Sequence, residues 1–265
     1  MTMKQVREDC EAGDAIVAAG RAWAGAVASR RAAQLEGLGL GGAQTESALR
    51  VAIERDMGAL AVRGARLREA DAALEVAARA VPDAAARRDE ACRRVQDCLA
   101  QVCEVVAAVA GDLAARRLGF DWPAPRDASA VEALAARVMD CAATVWLPPV
   151  TPGVTLDLTS LLADLAADRA SLARASADLR EARRLELLAR ARRDAFWAEH
   201  ARERTSAAVR LDAELRAAGL DDAADGIADA TRRAAAEPAS VWGEAITGAL
   251  IPAINTATRG PAQPS

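Results

Sequence analysis

Residues 158–218 read LTSLLADLAADRASLARASADLREARRLELLARARRDAFWAEHARERTSAAVRLDAELRAA, with neither proline nor glycine in the run. Alanine, leucine, arginine and glutamate dominate it, and these are strong helix formers. Leu158, Leu165, Leu172 and Leu179 recur every seven residues. Such a repeat places each rung on one stripe of an α-helix, the side that meets another helix in a coiled coil. After Leu179 the phase slips: Glu186 stands where a leucine is due, while Leu185, Leu187 and Leu188 flank it. One long helix is therefore expected here, closed by Gly219.

A second ladder, Ile53, Leu60, Leu67 and Leu74, gives the same reading for residues 45–80, with Thr45 as the expected N-cap. A third seam runs through Cys92, Val95, Leu99, Val102, Val106, Val109 and Leu113 in steps of three and four. Pro82 separates the second ladder from this seam. It either kinks one long helix or sits at the first position of a new one after a tight turn. The turn is the favoured expectation, because it folds the two stretches into an antiparallel pair of matching length. The first ladder then becomes internal core, covered by the seam of 95–113.

Other segments fit around these. Residues 3–36 form a first helix with Ile16, Gly20, Trp23 and Val27 on one face, ended by GLGLGG at 37–42. Ser129 and Glu132 form a capping box that opens a short helix with Val131, Leu134, Val138, Cys141 and Val145 as its seam. LPPVTPGVT at 147–155 is a stiff connector, and Asp157 is placed to cap the helix after it. LDDAADGIADATRRAA from Leu220 is a short helix, and residues 239–250 are expected to form a last one. No run alternates with a period of two long enough for a strand. The fold expected is all-α: an elongated antiparallel helical bundle with long coiled-coil-like helices and no β-sheet. It divides into residues 1–118, a short helical head at 119–157, a long-helix segment at 158–250 and a disordered tail at 251–265.

Composition limits function. Hydrophobic residues make up 52% of the chain but aromatics only 3%, so the core rests on Leu, Val and Ala. The net charge of −4 gives no global pull toward nucleic acid or anionic membrane. The five cysteines, Cys10, Cys92, Cys98, Cys103 and Cys141, are odd in number and match no zinc spacing. They read as reduced thiols of a cytoplasmic protein. The charged N-terminus lacks the apolar run of a signal peptide, and no stretch is apolar for long enough to span a membrane.

Chemical motifs are sparse. Gly37, Gly39 and Gly42 satisfy G-x-G-x-x-G in letters, but a helix precedes them where a dinucleotide site needs a strand. Lys4 is the sole lysine, which removes a Walker motif. Asp221, Asp225 and Asp229 share a helical stripe, yet acidic residues belong at a helix start through its dipole. His200, the only histidine, follows Phe196 and Trp197 in a locally basic stretch without an E-x-x-H partner. Trp23-Ala24-Gly25 resembles the W-x-G turn of small secreted helical-hairpin proteins of type VII systems, although here it falls inside a helical pattern.

The expectation is a non-enzymatic structural or scaffolding protein with no catalytic, cofactor or metal residues. It self-associates or docks on another helical protein, without nucleic acid, and Leu158, Leu165, Leu172, Leu179, Leu188, Phe196 and Trp197 are the candidate interface. The alternative is membrane activity through residues 119–157, where Phe120, Trp122, Val145, Trp146 and Leu147 form an apolar head between long arms. That layout resembles α-helical pore-forming toxins.

Overall fold

Helix formers and seven-residue seams dictate what the computed structural model contains. It describes residues 2–40, 43–120, 125–144 and 158–235, and every regular element among them is a helix. These are α1 (Met3–Gly37), α2 (Ala43–Ala110), α3 (Asp112–Arg117), α4 (Ala128–Thr144), α5 (Thr159–Ala217) and α6 (Asp221–Ala235). The fold is all-α. The connector at 147–155, Asp157, the helix expected at 239–250 and the tail at 251–265 lie outside the described residues.

The chain forms two units, Met1–Asp71 with Arg193–Ser265, and Ala72–Arg192, and both α2 and α5 contribute to each. The expected turn at Pro82 is not there: α2 continues through the proline. Pro82 leaves the Ala78 carbonyl without its helical donor. Both residues are exposed, so that carbonyl can be hydrated and the helix need not break. The first ladder consequently finds other cover than the seam of 95–113.

In the first unit, α1 lies antiparallel to α2 and parallel to α5. Ile53 and Leu60 of the ladder pack with Ile16 and Val27 of α1 and with Leu211 and Leu215 of α5. Leu67 packs with Val6 and Cys10. Ile227 of α6 closes the core, and Arg31 of α1 pairs with Glu214 of α5 at 3.6 Å. On α1 the buried stripe includes Ile16, Gly20, Ala24 and Val27, whereas Trp23 sits at its exposed rim, in mid-helix and not in a turn. Thr2 supplies a capping box with Gln5. Two glycines end helices in the left-handed region: Gly39 (φ +71°) after α1 and Gly219 (φ +68°) after α5. At both, the residue after the glycine donates back five positions, Leu40 to Leu35 at 2.8 Å and Leu220 to Leu215 at 2.9 Å.

In the second unit, Val95, Leu99, Val102 and Val106 of α2 form the core with Val131, Leu134 and Val138 of α4 and with Leu165 and Leu172 of α5. The expected seam fails at its end, since Leu113 is 65% exposed. Gly111 (φ +83°) breaks the helix there and resets the phase, so Ala114, Ala115 and Leu118 take the inward positions. α4 is capped two residues earlier than expected. The Asp127 carboxylate, not Ser129, accepts the amides of Ser129 (3.0 Å) and Ala130 (3.2 Å). The Ser129 hydroxyl donates to the same carboxylate, which, with those amides, holds its pKa below the usual range.

Candidate functional site

The second ladder is not an open seam. Leu165 and Leu172 belong to the core of the second unit, Leu179 is buried, and Leu158 packs at the edge of that core. The chain's own helices occupy the stripe that the seven-residue spacing selects. Phe196 and Trp197 are half-buried against Val6, Cys10 and Leu67. Among the interface candidates Leu188 stands exposed, beside Leu185 and Leu187. In the apolar head, Phe120 is buried in the core of the second unit, while Trp122, Val145, Trp146 and Leu147 lie outside the described residues.

The densest polar chemistry surrounds His200, inside the first unit. The imidazole is 1% exposed, and its Nδ1 has no hydrogen-bond partner. Gly13 makes room for the ring, and Gly64 lies at ordinary contact distance from it. A Cβ on Gly13 would lie 2.8 Å from Nε2, and one on Gly64 would lie 3.5 Å from it. One turn before His200, Trp197 donates its indole N–H to Asp9. One turn after it, buried Arg204 pairs with the same carboxylate. Arg68 of α2 pairs with Asp14 of α1. At the end of this layer Arg193, itself buried, bonds Asp194 at 2.7 Å and faces Asp71 at 3.8 Å.

These groups bias one another in a definite direction. Burial, followed by the positive charge of Arg204, holds the His200 pKa below its ordinary 6.5. Burial pushes the nearby Cys10 thiol up from its ordinary 9.0. A nucleophilic thiolate beside an imidazolium needs both shifts to run the other way. The cluster ties α1, α2 and α5 together through the Asp9–Arg204 and Asp14–Arg68 pairs. Among the described residues no three His, Cys, Asp or Glu side chains are grouped to hold a metal, and no described helix is long and apolar enough to cross a membrane.

The second candidate is an open groove of about 680 Å³ between α2 and α5 in the second unit. Ala86, Ala91 and Ala175 form its small-residue floor, and Arg87, Arg93, Arg94 and Arg174 wall it together with Glu90, Asp178 and Ser171. The helices are antiparallel there: Arg94 faces Asp168 at 3.8 Å, and Cys98 approaches the Leu161 carbonyl at 3.9 Å. Sequence reasoning missed this groove because its arginines come from segments some eighty residues apart. The alanines that open it look like ordinary helix filler. The buried arginines were missed too; the hint was the four-residue step from His200 to Arg204 beside Trp197. Compared with models of known families, with curated proteins and with solved structures, the chain matches none.

Proposed function

We propose that the protein is a non-enzymatic scaffold that docks on another protein through the exposed faces of its two long helices. One observation carries this reading. No residue of α5 from Arg180 to Arg192 is buried, yet the stretch holds Leu185, Leu187 and Leu188, which are 47%, 63% and 53% exposed. On α2, nothing between Leu74 and Ala84 is buried, and Val76 is exposed as well. Three exposed leucines within four residues on a regular helix are unusual where solubility alone decides the surface. The ladder leucines buried inside the chain do not serve as the interface in this reading. A cytoplasmic setting is part of it, supported by five free cysteines, four of them buried.

The test is site-specific photocrosslinking from position 187 in cells, with sedimentation of the purified chain alongside. The expected outcome is one dominant heterologous adduct that disappears with Leu188→Asp. Adducts absent at 187 but abundant from a position on α6 would overturn the placement. A chain that crosslinks nowhere and sediments as a monomer would overturn scaffolding itself.

A further inference from the structure

The groove and the exposed aliphatic residues belong to the same two faces. On α5, Ser171, Asp178 and Leu185 stand seven apart, as do Arg174, Glu181 and Leu188. On α2, Glu90, Asp83 and Val76 do the same. A seven-residue step returns each residue to the same side of a helix in a coiled pair. Both stripes thus start in the arginine-walled groove and lead to exposed aliphatics, Val76 on one helix and Leu185 with Leu188 on the other. From Ser171 to Leu188 the run measures about 26 Å along the helix, the length of a five-turn partner helix.

We propose that this face of the second unit receives an amphipathic helix of a partner protein, acidic along its flanks and aliphatic along its ridge. The inference deepens the scaffold reading by naming the class of partner. Shape selects a helix: alanines at 86, 91 and 175 leave a trough that a ridge of side chains can enter. Charge selects acidic flanks. The groove wall carries four arginines against two acids. On α5 from 171 to 192 there are six arginines (174, 180, 183, 184, 190, 192) against three acids (178, 181, 186). Arg93 is engaged by Glu90 at 2.6 Å and Arg94 by Asp168 at 3.8 Å, Arg174 donates to Ser171 at 3.3 Å, and Arg87 has no ion pair among the described residues. Like charge disfavours a second copy docking on the same face. A bilayer is flat and cannot fill a trough. A nucleic acid gains little from an alanine floor that offers no aromatic platform.

The experiment uses the full chain and a fluorescein-labelled three-heptad peptide with leucine on its ridge and glutamate on its flanks. Controls are the lysine-flanked peptide, a short DNA duplex, and vesicles of phosphatidylcholine with phosphatidylserine. By anisotropy the glutamate peptide is expected to bind at micromolar concentration, and the lysine peptide about tenfold more weakly or worse. Arg87→Glu with Arg174→Glu, Ala86→Trp, and Leu188→Asp are each expected to weaken binding by about tenfold or more. All four positions are exposed, and unchanged thermal unfolding verifies that each variant folds. Equal binding of the two peptides, or no binding, overturns the proposal. So does loss with the arginine variant but not with Ala86→Trp, which would mean surface charge without a groove. Preference for DNA or vesicles overturns it in favour of those ligands. Should the peptide fail while crosslinking from position 187 still traps a protein, the scaffold reading stands and the acidic-helix assignment falls.

Discussion

Gly13 of α1 makes space for a ring on another helix, the imidazole of His200. An alanine at position 13 would gain about 1 kcal/mol of helix propensity. It would also press a methyl group against a side chain held by three helices, and overpacking costs about 1–3 kcal/mol. Gly13→Ala is therefore expected to lower stability in urea unfolding. Gly25→Ala, on the same helix with nothing near the added carbon, is expected to raise it by about 1 kcal/mol. If both raise it, the ring is not wedged as described. The same ring sets a pH dependence. Asp9 and Asp14 of α1 attract a proton to it, Arg68 of α2 and Arg204 of α5 repel one, and burial outweighs them all. The unfolded chain takes up that proton near 6.5, the folded chain only lower. The contribution of His200 to stability is thus complete above 6.5 and is lost as pH falls from there toward the folded value. The urea midpoint is expected to drop over that interval in the native chain, and to drop less in His200→Gln. An identical slope in both would assign the loss to other groups.

Elements show where sequence periodicity suffices and where it misleads. Both ladders were legible, because a seven-residue apolar repeat has few outlets besides a helix packed on helices. What covers each ladder was not legible. The reading turned on Pro82, and local chemistry permits both a turn and a run-through when the freed carbonyl faces water. Because α2 runs through, the proline is a penalty without a structural return. Pro82→Ala is then expected to raise the thermal midpoint, with a gain of up to about 3 kcal/mol. In a chain that turned at Pro82, the same change would leave stability unaltered or reduce it. Leu113 gives the second lesson: the apolar repeat extends through it, but a positive-φ glycine two residues earlier rotates it outward. A sequence pattern records spacing and not the backbone between. The ladder leucines of α5 can be ranked by the same reasoning. Leu172→Ala removes a fully buried side chain and is expected to cost about 2–5 kcal/mol. Leu187→Ala, on the exposed stretch, is expected to cost within about 0.5 kcal/mol. Near-equal losses would place Leu187 in a core.

For the molecule as a whole, net charge was a poor guide to surface chemistry. A chain of net −4 carries a groove walled by four arginines, because an average over 265 residues has no position in it. The buried polar layer was hidden likewise: His200, Arg204 and Asp9 are ordinary solvent-facing types in a helix, and only their tertiary placement draws them inside. A division into two units was even less visible, since the same two helices serve both and no linker marks the boundary. It has a measurable consequence. The core around Leu211 and the core around Leu172 share no residue. Substitutions in cores without common partners act nearly independently, and local opening follows the cooperative unit that contains the lesion. In hydrogen exchange, Leu211→Ala is expected to accelerate amides of α1 and of α2 up to Asp71, leaving α4 and residues 95–106 protected. Leu172→Ala is expected to do the reverse. The stretches 75–83 and 180–192, which bury nothing, should exchange ahead of both cores in the native chain. A loss of about 2–5 kcal/mol in one core, felt as a large rate change there and as none in the other, requires two cooperative units. Uniform acceleration by either variant would mean that the continuous helices bind the molecule into one.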